Sequence, residues 1–215
     1  MATKKRRPPK RNRPLENPLQ RWKRQRELAF RPDAKAATWL KTLRLTRLQR
    51  LRLSKWLLYT LTIVLCLVVQ DVIMSQFSLL GATTNLAVSA IFLITVIEGV
   101  EVGSVFVLIA STLYYFSGTC PGAYTVALLT FLGVAAAMFR QMYWHRSKGS
   151  IVLCAAIAMM LYELGLFAVG IFNELTIWNR FGVFVITGAL SCAAMIPLYP
   201  LIHKIGLIGG NTWKE

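Results

Sequence analysis

Residues 86–116 read LAVSAIFLITVIEGVEVGSVFVLIASTLYYF, an apolar stretch interrupted near its middle by Glu98 and Glu101 and by Gly99 and Gly103. At about 1.5 Å of rise per residue, the stretch is too long for one ordinary membrane crossing of about 20 residues. It is also short for two crossings and a turn. Four further apolar runs surround it, at residues 56–74, 123–139, 151–172 and 181–202. With 55% of the chain hydrophobic and only 16% charged, these runs indicate an all-α integral membrane protein.

Charge distribution decides how often the long stretch crosses. Nineteen of the 25 Lys and Arg precede Trp56, against three of the nine acids, so residues 1–55 carry +16 while the rest balances at six against six. A second basic loop, RQMYWHRSKGS, carries Arg140, Arg146 and Lys148. The positive-inside rule puts both basic segments in the cytoplasm, which requires an even number of crossings between them. Two crossings within residues 86–116 meet that requirement. The expectation is a six-transmembrane-helix bundle over residues 56–203, with both termini cytoplasmic and a short cytoplasmic tail at 204–215 that includes Lys204.

Parity puts a reversal near Glu98 to Gly103, where glycine supplies the backbone conformations that a tight turn needs. On this reading Glu98, Gly99 and Glu101 sit in a cytoplasmic turn outside the hydrocarbon. The same residues admit a second reading, because Gly99-x-x-x-Gly103 is a small-xxx-small pattern that lets helices approach closely. The two glutamates would then form an acidic knob for a partner. Glu163, in MMLYELGLF, stands alone within an apolar run. A carboxylate at that depth costs a few kcal/mol, about 2.5–3.5 on insertion scales, and is a functional candidate by default. The competing reading is a glutamate that faces the bundle and is satisfied by Tyr162 or by a Ser or Thr of another helix.

Residues 1–55 form a separate region. KKRRPPKRNRPLENPLQRWKRQR is rich in Pro, Lys and Arg and poor in core-forming residues, which indicates disorder. With membrane spans following, its expected partner is anionic lipid, at about 1 kcal/mol per basic residue near the surface, and not nucleic acid. The adjoining WLKTLRLTRLQRLRLSKW shows a poor apolar stripe, so it reads either as a surface helix with snorkelling arginines or as an orienting anchor. More than forty residues, most of them polar, precede the first apolar run, unlike a cleaved signal peptide. Cys66, Cys120, Cys154 and Cys192 are scattered without ligand spacing and read as small core residues.

Several segments together resemble the rod shape-determining protein MreD family. They are LCLVVQ at the close of the first run, LLGATTNL leading into the second, EGVEVGSVF at the reversal, and SGTCPGAY before LLTFLGVAAAMFR. The resemblance covers residues 57–140 and, by span pattern, continues to 204. Gln70, Gly81, Thr84–Asn85, Glu98–Gly99 and Gly103 occupy the matching positions. The chain departs from the family pattern at Glu98, where the family has Arg, and at Val107, Ser111 and Tyr115, where further glycines and an aspartate are usual.

The resemblance implies a non-enzymatic component of the bacterial cell-elongation (rod) complex in the cytoplasmic membrane. Such a component supports cell shape and lateral peptidoglycan synthesis beside MreC, the MreB filament and the RodA and penicillin-binding synthases. It needs no cofactor or metal, and its direct partner would be the single-span MreC. The residues themselves offer no catalytic set, since His145 and His203 sit at loop edges and no Ser/His/Asp or paired-carboxylate site presents itself. The alternative is the substrate-binding component of an energy-coupling-factor vitamin transporter, also a six-helix bundle. It would line a pocket with Glu163, Tyr114, Tyr115 and Trp178 and dock through small residues such as Ala189 and Ala193. A closed bundle favours the scaffold, and an outward polar cavity favours transport.

Overall fold

The computed structural model describes residues 47–73, 76, 81–143 and 148–208. Residues 1–46, the loop residues His145 and Arg146, and the tail from 209 onward lie outside the described residues, and with residues 1–46 lies the segment expected to be disordered.

The described chain is helical: α1 Arg47–Val72, α2 Leu86–Glu98, α3 Val100–Phe116, α4 Tyr124–Tyr143, α5 Lys148–Phe172 and α6 Phe181–Gly206, with a 3₁₀ turn at Trp178–Arg180 before α6. Four segments are long and apolar enough to cross a membrane, namely Gln49–Val72, Tyr124–Met142, Gly149–Phe172 and Trp178–Gly206. These lengths and compositions are those of a multi-pass membrane protein. The first apolar run is the inner part of a longer helix, since α1 starts at Arg47 and carries Arg50, Arg52 and Lys55 without a break into the leucine-rich run.

Residues 86–116 divide at one residue. Gly99 has φ 84° and ψ −177°, a conformation open to glycine and costly for any residue with a Cβ. The chain reverses there, because Tyr114 in α3 and Asn85 before α2 line one cavity while Gly103 rests against Thr95. A Cβ on Gly103 would lie 2.6 Å from the Thr95 carbonyl oxygen. The two glycines of the small-xxx-small pattern thus have different places, and the side of the membrane is no part of this geometry. Gly99 makes the turn and Gly103 lets the two arms meet.

The shortest helix is the centre of the bundle. α2 packs against each of the other five helices, and 11 of its 13 residues are buried. Its length of about 20 Å is less than the ~30 Å hydrocarbon thickness. Both its ends are enclosed by protein, and side chains of other helices meet backbone groups there. Around it, α1 turns Tyr59, Ile63 and Cys66 inward and exposes Leu57, Leu61, Leu65 and Val68. Both faces are apolar, as expected of a helix set between protein and lipid.

Candidate functional site

Two polar clusters terminate α2, one at each end, and between them they hold most of the buried polar side chains among the described residues. The first surrounds Glu98, the last residue of α2. A carboxylate at a helix C-terminus meets the negative end of the helix dipole and four carbonyls without intrahelical partners. Three cationic or hydrogen-donating side chains compensate. Lys55 contacts both carboxylate oxygens, at 2.6 Å to Oε1 and 2.8 Å to Oε2. The Tyr59 hydroxyl donates to Oε1 at 2.6 Å. From α4, the Arg140 guanidinium donates to the carbonyl of Val96, with a longer contact of 3.5 Å to that of Ile97.

Lys55 and Tyr59 are one helical turn apart and so reach Glu98 from the same face of α1. The pair is sealed from solvent, with the side chains of Lys55 and Glu98 only 5% and 2% exposed. α6 closes the cluster, since a Cβ on Gly206 would lie 3.0 Å from the Tyr59 hydroxyl. Glu98 is thus no part of an exposed acidic knob, contrary to that expectation, because its charge is spent inside the protein. Glu101, in the first turn of α3, is exposed and keeps its charge available. Arg140 likewise is more than a loop charge, since it caps the carbonyl end of α2.

The second cluster surrounds the start of α2. Asn85 is its N-cap residue, yet the side chain makes no capping bond. Its amide instead donates to Glu163 Oε1 at 2.5 Å. The Asn85 backbone N–H donates to Ser191 Oγ at 2.9 Å, and Gln70 Oε1 accepts from the Ala87 backbone N–H at 3.1 Å. Ser89 Oγ adds a bond to the Ser191 carbonyl at 3.1 Å. Gln70 of α1 and Ser191 of α6 therefore accept the backbone N–H groups at this end, Gln70 in the place of an ordinary N-cap side chain, while Glu163 of α5 holds the Asn85 side chain. The partner of Glu163 is an asparagine before α2, not Tyr162 or a Ser or Thr. Tyr162 is fully buried with its ring edge-on to Phe92 at 6.1 Å, and its hydroxyl has no hydrogen-bond partner among the described residues.

Beside this cluster lies a cavity of about 230 Å³ lined by Thr83, Asn85, Tyr114, Glu163, Phe184 and Thr187 among others. Tyr114 belongs to it as expected for a pocket residue, whereas Tyr115 is 40% and Trp178 72% exposed, outside it. A second, apolar groove of about 340 Å³ runs along α4 and α5, with Leu132, Ala135, Ala136, Phe139, Ile157 and Ala158 on its walls. No group of three or more metal-ligating side chains occurs among the described residues.

The candidate residues thus fall into two places. Glu98, Gly99, Glu101 and Gly103 stand at one end of α2, and Glu163 stands at the other. Sequence reasoning missed the roles of Lys55 and Arg140, which it took for orienting charges. The Lys55-x-x-x-Tyr59 spacing places those two side chains on one helix face and does not point to Glu98. Gln70 and Asn85 entered that reasoning only through the family resemblance, and Ser191 carried no signal. No family model, curated protein or solved structure matches this chain.

Proposed function

We propose that this protein is a non-enzymatic scaffold of the bacterial rod complex, of the MreD type, which holds a single-span, MreC-like partner in the cytoplasmic membrane. The observation that carries this reading is the groove between α4 and α5. It is open on the outer surface, wholly apolar in its lining residues, and bordered by Ala135, Ala136 and Ala158. Helices associate in lipid through close packing at small residues, since hydrophobic force is absent there. A groove of this kind suits a lone transmembrane helix.

The scaffold reading takes the bundle as six crossings with both termini cytoplasmic. Lys55 of α1 and Arg140 of α4 meet the same end of α2, which supports an even number of passages between the two basic segments. α2 and α3 complete the count as short crossings, α2 enclosed by the longer helices. The alternative, a vitamin-binding transporter component, would use the cavity beside Glu163. At about 230 Å³ that cavity lies below the ~300–1,000 Å³ of sites that bury a drug- or vitamin-sized ligand, which favours the scaffold.

Co-purification from mild detergent tests the proposal. The full-length protein should retain the MreC-like chain encoded in the same cell. Absence of that chain, together with a vitamin-sized molecule released on denaturation, would overturn the scaffold reading.

A further inference from the structure

The cavity at the start of α2 is built around a carboxylate that the bundle only half satisfies. Glu163 is 3% exposed, and Asn85 is its one hydrogen-bond partner among the described residues, at Oε1. None of the described residues lining the cavity is Lys, Arg or His. The cations that balance Glu98 stand at the opposite end of α2, about 20 Å away by helix rise. A buried carboxylate without a counter-charge is costly, and the contrast with Glu98, which has Lys55, is direct.

The rest of the lining suits a cation. Thr83 and Thr187 carry hydroxyl oxygens that can accept, and Tyr114 and Phe184 add aromatic rings to the wall. The remaining wall, including Leu166 and Val183, is apolar and accommodates an alkyl chain. The volume of about 230 Å³ admits a short chain and excludes a large ring system. We propose that this cavity binds a primary alkylammonium group, whose three N–H donors reach Glu163 and the threonine hydroxyls. That group belongs either to a free small amine or to a lysine side chain of a partner segment. The site goes beyond the scaffold reading and stands or falls separately from it, because the groove along α4 and α5 involves none of these residues.

Isothermal calorimetry on the purified full-length protein in uncharged detergent tests the chemistry, with propylammonium chloride titrated at constant ionic strength. The expected result is saturable binding that weakens about tenfold or more in Glu163→Gln, the loss appropriate to a charge-assisted hydrogen bond. Gln keeps a carbonyl oxygen for Asn85, so the bundle is preserved. Thr187→Val should weaken binding without abolishing it, and provides a second variant should Glu163→Gln fold poorly. Propionamide, of similar size and without charge, should not bind. Absence of saturable binding in the wild type, unchanged affinity in the variants, or equal binding of propionamide would overturn the proposal.

The source is read from native membranes treated with dicyclohexylcarbodiimide, which couples a carboxylate to an amine held against it. A Glu163 peptide joined to a small amine supports a free ligand, and one joined to a lysine of another chain supports a partner segment. Glu163 modified by the reagent alone would contradict an ammonium occupant in the cell.

Discussion

Glu98 and Glu163 are the same residue type in the same bundle, and what surrounds each decides what it does. Glu98 is held by Lys55 and Tyr59 and is fully committed to joining α1 to α2. Removing one member of a buried pair strands the other, at a cost of about 3–5 kcal/mol. Lys55→Met should therefore lower stability in detergent by about that amount. The double variant Lys55→Met with Glu98→Met should recover most of the loss, because two apolar groups leave no stranded charge. A double variant no more stable than the single would mean that the pair is not what the cluster depends on. Gly99→Ala forces a Cβ into a region near φ 84° and should cost about 1–3 kcal/mol, measured by the same unfolding curves. The sequence marked Glu98 and Gly99 as special through their position in an apolar run. It gave no means of pairing Glu98 with Lys55, 43 positions earlier, since one lysine in a basic run looks like the next.

At the level of elements, the two short helices were legible because length and glycines leave few options. A stretch too long for one crossing, with two glycines at its centre, has to reverse. Which helix forms the core was not legible. α2 and the outer helices are all apolar around their circumference, so periodicity does not separate a lipid-facing side from a protein-facing one. The start of α1 was also hidden, since Arg47 to Lys55 continue the helix without any break in backbone propensity. Gly103 shows what this placement changes. With Thr95 of its own chain already in contact, Gly103→Leu should disrupt the α2–α3 hairpin itself, not a docking face for a partner. The expected outcome is a loss of the monodisperse species on size-exclusion chromatography. A stable variant that merely loses its partner would show that Gly103 faces outward.

For the whole molecule, the proposed arrangement puts the loop after α3 on the non-cytoplasmic side. Cys120 lies in that loop and is partly buried, while Cys66 and Cys154 are buried within helices. An impermeant thiol reagent added to intact cells should label Cys120, and a reporter fused after Glu215 should read as cytoplasmic. Labelling only after lysis would mean an even number of crossings before Cys120, and a non-cytoplasmic reporter would mean an odd number in all. Deleting residues 1–31 should weaken binding to anionic vesicles and leave insertion intact, because Arg44, Arg47, Arg50 and Arg52 remain to orient α1. The most direct test of the scaffold itself fills the groove. Ala135→Phe places a ring on the exposed wall between α4 and α5, whereas Leu61→Phe places the same ring on the exposed face of α1, away from the groove. Partner recovered from detergent should fall about tenfold or more with Ala135→Phe and remain at the wild-type level with Leu61→Phe, with both variants equally stable. Full recovery of the partner with Ala135→Phe would contradict the account.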